Sequence, residues 1–318
     1  MFFLRLFGTR RARIAFNVVS GTVAVAVGLL TARHFVNNGW PLGHADVFGV
    51  VAAGTLFLAA FAFKAWGWHL LFRADDRPHP LALAAAGGAA SVTGLALPGR
   101  CDEVVRIAVV RKFPGHRCGV GTVCLSLFVL GLIDNAALAP FASVAAGISA
   151  PSGLVRAGLI VVGASGVGAA LIVALLPWAA GVRRIVKYRL GRWVSQHAAS
   201  PRQAAKAWLL VLVSWGLRAV AVFVLLDALT LHTSIPLALG FLVASASAAA
   251  LPIAPAGGAA QAGAGAAILT AAGVGTSKAV AFAVAAQGLV VLTGAAILIL
   301  TVSLHFARRL RRAPLVVY

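Results

Sequence analysis

The chain has 318 residues, of which 61% are hydrophobic and only 11% charged, yet its formal net charge is +20. With a mean hydropathy of +0.97, this composition excludes an ordinary soluble domain and a nucleic-acid binder, and reads as a single all-α polytopic membrane domain over 1–318. The excess of Lys and Arg then has two uses: it orients the spans and faces anionic headgroups.

In chain order, the basic stretch Arg10-Arg11-Ala12-Arg13 precedes an apolar run over 14–31. That run exceeds the usual signal-peptide core of about 7–15 residues, so it is expected to be an uncleaved first span. Span two covers 47–71, with Trp66, Trp68 and His69 as an interfacial belt at its end. A polar turn at 73–78 leads into a segment at 81–113. There an apolar stretch is stopped by Pro98-Gly99 before it reaches the roughly 20 residues that cross a ~30 Å hydrocarbon core. From Arg100 the chain is amphipathic, with Val104, Val105, Ala108 and Val109 as its apolar stripe. The pattern predicts a re-entrant hairpin, which is tolerated at membrane depth only where it is buried in protein or lines a wet cavity.

Span three covers 120–146 and span four 154–178. A basic segment follows at 182–206, with Arg183, Arg184, Lys187, Arg189, Arg192, Arg202 and Lys206, and is expected on the cytoplasmic surface. Span five covers 207–231. The region 236–272 is apolar but broken by Leu251-Pro252-Ile253-Ala254-Pro255-Ala256-Gly257-Gly258, a second expected hairpin. Span six covers 279–306 and closes on Arg308-Arg309-Leu310-Arg311-Arg312. The architecture is therefore about six full helices plus two broken hairpins. Eight complete but short helices are the alternative.

Placing both termini inside puts 23 of the 27 Lys and Arg on the cytoplasmic side, all but Arg33, Arg156, Arg218 and Lys278. The hairpins then enter from opposite faces. Broken helices from opposite faces that meet near the midplane make an inverted repeat around a transport site.

Pro98-Gly99-Arg100-Cys101-Asp102-Glu103-Val104-Val105-Arg106, with the Pro252-to-Gly258 break about 150 residues later, resembles the flippase-like family of lysylphosphatidylglycerol synthase transmembrane domains. The family carries a P-G-R-x-G-E-x-x-R-like segment after the early spans and a P-G-G-x-G segment ending in Glu before the last. In this chain Asp102 stands at the first segment's Gly, Ala256 at a Gly of the second, and Gln261 or Ala262 at its closing Glu. Gln287 stands where the family often has Arg in the last span. The resemblance covers nearly the whole chain and implies a bacterial plasma-membrane protein that moves lipid headgroups. Because the chain ends at Tyr318, without the soluble synthase domain of some members, it also implies no amino-acid transfer to lipid by itself.

The candidate substrate-binding residues fall in three groups. Arg100, Glu103 and Arg106 can offer two guanidinium forks to a lipid phosphate, with Glu103 balancing charge; equally, Glu103 pairs with an Arg on a surface helix. Asp102 caps that helix or pairs with Arg106 at i,i+4, capping being favoured. Asp134 and Asn135 lie midway along span three, where an ionisable group must face the interior with a partner, and Arg218 in span five is the expected partner. Asp227, nine residues on, faces elsewhere. Pro255, Gly257, Gly258 and Gln261 would expose polar groups to substrate at the second break, or else pack helices closely.

The eight His show no metal-ligand spacing and there is no nucleotide-binding loop, so neither metal nor cofactor is expected, nor enzymatic chemistry. The expected partners are anionic or phosphate-bearing membrane lipids. The expected function is a lipid translocase that uses no nucleotide hydrolysis. The alternative is a non-transporting subunit or enzyme component of cell-envelope assembly, bound to a partner protein of that machinery.

Overall fold

The computed structural model describes residues 29–312 except 31, 34, 38, 97–100, 114–117, 150–152, 182–191, 194–196, 198 and 251–256. The described residues contain no strand. Their helices are α1 (Val47–Leu70), α2 (Pro80–Ala96), α3 (Cys101–Lys112), α4 (Val120–Ser149), α5 (Gly153–Gly181), α6 (Pro201–Ala228), α7 (Ile235–Ala250), α8 (Gly257–Ala271) and α9 (Thr276–Arg312). Helices α1, α4, α5, α6 and α9 are each long and apolar enough to cross a membrane, as five of the six expected spans require. The sixth, at 14–31, lies almost wholly outside the described residues. The protein is an all-α, multi-pass membrane protein.

The four remaining helices have 17, 12, 16 and 15 residues, fewer than the about 20 a crossing takes. They pack as two pairs, α2 on α3 and α7 on α8, and α2 also touches α8. Residues 97–100, between α2 and α3, and 251–256, between α7 and α8, lie outside the described residues.

Each helix start has a local reason. Asp46 caps α1 by accepting from the N–H groups of Phe48 at 3.1 Å and Gly49 at 3.0 Å, which satisfies donors the first turn leaves open. Ser200 and Gln203 form a reciprocal capping box before Pro201, which opens α6. Helix α6 therefore begins six residues earlier than span five was expected to, and takes Arg202 and Lys206 with it. Helices α6 and α8 both end in Schellman turns. In the first, Leu231 N–H donates to Leu226 and Thr230 N–H to Asp227; in the second, Val274 donates to Leu269 and Gly273 to Thr270.

Two contacts define the faces of the bundle. Asp46 N–H donates to the Ala228 carbonyl at 2.9 Å, tying the start of α1 to the end of α6. The Cys118 thiol donates to the Asp76 carbonyl at 2.7 Å, tying the turn after α1 to the entry of α4. Arg73, Arg77, Arg111, Lys112, Arg202 and Lys206 stand on the second, basic face. Burial, with the Asp76 charge adding to it, pushes the Cys118 thiol above its usual range.

Small residues let helices approach closely. Helix α2 crosses α9 where Gly88 meets Gly294, and a Cβ on Gly88 would strike the Gly294 carbonyl and come within 3.2 Å of Leu298 N. A Cβ on Gly294 would instead meet the Ser91 hydroxyl first, a side chain that can rotate away. Gly88→Ala should therefore lower stability by about 1–3 kcal/mol, the usual cost of overpacking, and Gly294→Ala by less. Thermal unfolding of the two purified variants checks the order.

Candidate functional site

The charged residues of the membrane core meet where α1, α4 and α6 cross. Phe61 and Lys64 share one face of α1, and Trp215 and Arg218 share one face of α6, each pair at i,i+3. Asp134 sits midway along α4 between them. Lys64 Nζ donates to Asp134 Oδ2 at 2.5 Å, and Trp215 Nε1 donates to Oδ1 at 3.1 Å. Both carboxylate oxygens are thus held, as a charge in a low-dielectric interior requires. The Lys64 and Asp134 side chains keep 19% and 22% of their surface exposed.

Arg218 is held differently. Its guanidinium lies over two aromatic rings, 5.0 Å from the centroid of Trp215 and 5.4 Å from that of Phe61. Cation–π contact of this kind supports a charge without using up its N–H donors. Arg106 of α3 completes the group: it pairs with Asp102 at 3.5 Å, one turn away, and its charge bears on both Lys64 and Arg218. The Nε atoms of Arg106 and Arg218 are buried and have no hydrogen-bond partner among the described residues. Buried donors without partners are costly, and the planar fork of a guanidinium suits an oxyanion such as phosphate.

The scaffold beneath is fixed by hydrogen bonds between helices. Ser214 Oγ donates to the Ala60 carbonyl at 2.8 Å, joining α6 to α1. Trp68 Nε1 donates to Ser126 Oγ at 3.0 Å, joining α1 to α4. Trp68 is therefore a buried strut and only Trp66 of the expected belt is exposed.

Of the residues singled out from sequence, Asp102, Arg106, Asp134 and Arg218 come together. The expected ion pair is replaced: Asp134 takes Lys64, and Arg218 takes the rings. Asp102 lies within α3 and takes the second of its two expected roles, pairing with Arg106. Asn135 points away from the cluster, exchanging weak 3.4 Å hydrogen bonds with Ser165 of α5. Glu103 is half-buried beside Asp102. Gly257 and Gly258 open α8 and Gln261 follows one turn on, half-buried. Asp227 reaches the non-basic face, where it accepts from Thr233 at 3.4 Å. Arg100 and Pro255 lie outside the described residues. Lys64 escaped notice because it stands only a few residues from the end of span two and was counted with the cytoplasmic cations. The signal was present all the same: a lone Lys inside an apolar span calls for a buried acid.

No curated protein and no solved structure matches the chain. The family model for the lysylphosphatidylglycerol synthase TM region matches residues 17–300, which includes every residue of this cluster. The protein therefore belongs to the lysylphosphatidylglycerol synthase transmembrane-region family, multi-pass membrane proteins tied to the modification or translocation of membrane lipids.

Proposed function

We propose that the protein is a lipid translocase of the bacterial plasma membrane, with both termini cytoplasmic and the basic face of the bundle inward. A phosphate-bearing headgroup enters the cradle of Arg106, Lys64 and Arg218 while its hydrocarbon tail stays in the bilayer. The observation that carries this reading is the pair of buried guanidinium Nε atoms, on Arg106 and Arg218, that have no partner among the described residues, while Lys64 is already neutralised by Asp134. Helices α2–α3 and α7–α8 act as re-entrant pairs from opposite faces, and their contact through α2 and α8 lies where an inverted repeat would form a transport path. The protein moves its substrate without transforming it, and neither nucleotide nor metal takes part.

Lipid retention tests the headgroup site. Native mass spectrometry of wild type released from mild detergent should show one anionic headgroup class held specifically. Arg106→Ala/Arg218→Ala should lose it by about tenfold or more, since a hydrogen bond to a charged group contributes about 1.5–3 kcal/mol. Equal, unselective lipid on both proteins would make the cluster structural. If a protein partner rather than lipid is lost, a subunit role replaces the translocase.

A further inference from the structure

The face opposite the basic one carries a cavity of about 690 Å³, walled by α4, α5, α7, α8 and α9 and by the turn after α6. Its polar lining is Thr230, His232, Ser234 and Lys278. His232 and Lys278 are exposed, and neither has a hydrogen bond or ion pair with any described residue. Lys278 also stands in the first turn of α9, which has no acidic residue. A cation at the positive end of a helix is electrostatically misplaced unless an anion joins it. The carboxylates on this face do not serve, because Asp46 caps α1 and Asp227 accepts from Thr233.

The backbone gives a second, independent observation. Thr230 occupies the left-handed position of the Schellman turn that ends α6, with φ of 57°. The equivalent position ending α8 is Gly273, at φ 90°, and both residues line the cavity. A β-branched residue is strained there and Gly is not. Retained strain on a cavity wall points to use of the side chain.

The cavity is also in register with the charged cluster. Ala145, on its wall, follows Asp134 by eleven residues, three turns of α4, so the two share one helix face about 16 Å apart. Between them that face carries Leu138 and Ala142, both buried, and Phe141, which reaches Gly216 of α6. An apolar seal thus separates the cluster from the cavity.

We infer that this cavity is a second binding station for a phosphate-bearing headgroup, with Lys278, His232 and the Thr230 hydroxyl as its donors. Resting on the translocase reading, it is the place a headgroup reaches on leaving the central cradle. Its chemistry is that of a phosphate, whether carried by a lipid or free in solution.

The test uses full-length protein in phosphatidylcholine nanodiscs doped with a photoactivatable phosphatidylglycerol, with crosslinks mapped by mass spectrometry. Wild type should crosslink within 230–240 and 268–278. His232→Ala/Lys278→Ala should lower that yield by about tenfold. Thr230→Gly should lower the yield while the melting temperature holds or rises, an outcome a merely structural Thr230 would not give. Competition by unlabelled phosphatidylglycerol alone identifies a lipid headgroup; competition by glycerol 3-phosphate as well identifies a site open to free phosphate. Arg106→Ala/Arg218→Ala, by contrast, should abolish crosslinks near the central cluster and leave outer ones formed from lipid on that face. The two claims therefore fail separately. Unchanged outer crosslinks in both His232→Ala/Lys278→Ala and Thr230→Gly overturn the inference.

Discussion

Lys64→Met should be among the most destabilising single changes in the protein, costing about 3–5 kcal/mol, because it leaves Asp134 charged and unpaired within the bundle. Asp134→Leu should cost a similar amount by stranding Lys64. The double variant Lys64→Met/Asp134→Leu should recover most of the loss, since replacing a buried ion pair with well-packed apolar groups is often neutral. Unfolding measured across this cycle gives the coupling directly. A parallel cycle through Arg218→Met and Asp134→Leu should show much weaker coupling, because the Arg218 charge rests on Phe61 and Trp215 and, among the described cations, it is the Lys64 ammonium that contacts the carboxylate. Additive losses for Lys64 and Asp134 would remove the ion pair from the description of the site.

The same cycle separates stability from function. Lys64→Met/Asp134→Leu keeps the two guanidiniums and removes one local charge of each sign. It should fold and still hold an anionic headgroup, because the guanidinium donors of Arg106 and Arg218 that have no partner among the described residues remain.

Much of the fold was legible because a membrane simplifies the problem. A hydrocarbon interior demands long apolar helices, so α1, α4, α5, α6 and α9 appear wherever hydropathy runs uninterrupted. The short pairs α2–α3 and α7–α8 were legible from Pro98-Gly99 and from the Pro252-to-Gly258 break, which no continuous span accommodates. Helix starts were less so, because propensity and capping override hydropathy. The capping box at Ser200 and Gln203 starts α6 in a stretch that charge alone assigns to a loop.

The site was half legible. Asp134 and Arg218 stand out as ionisable residues far from any span end. Their pairing was misjudged because opposite charge says which residues need partners and not which faces meet. The azimuths of α1, α4 and α6 decide that, and they are set by contacts such as Ser214 to Ala60 and Trp68 to Ser126. Tryptophan misled for a related reason: near a span end it reads as an interfacial anchor, whereas Trp68 spends its N–H group inside the bundle. Arg106 was visible as a candidate, but its reach into the electrostatic neighbourhood of Lys64 and Arg218 depends on how α3 folds back, which periodicity does not specify.

The most direct measurement is headgroup movement itself. Purified protein is reconstituted into liposomes carrying a fluorescent phosphatidylglycerol, and a membrane-impermeant reductant then bleaches whatever reaches the outer leaflet. Wild type should render the inner-leaflet fluorophore accessible. Arg106→Ala/Arg218→Ala, shown to be folded by its unfolding transition, should slow that step by about tenfold to a hundredfold, the kinetic equivalent of losing about 1.5–3 kcal/mol of charge-assisted hydrogen bonding. Equal rates for wild type and variant, or no protein-dependent movement with phosphatidylglycerol or any other phosphate-bearing lipid, would contradict a translocase built on this cluster.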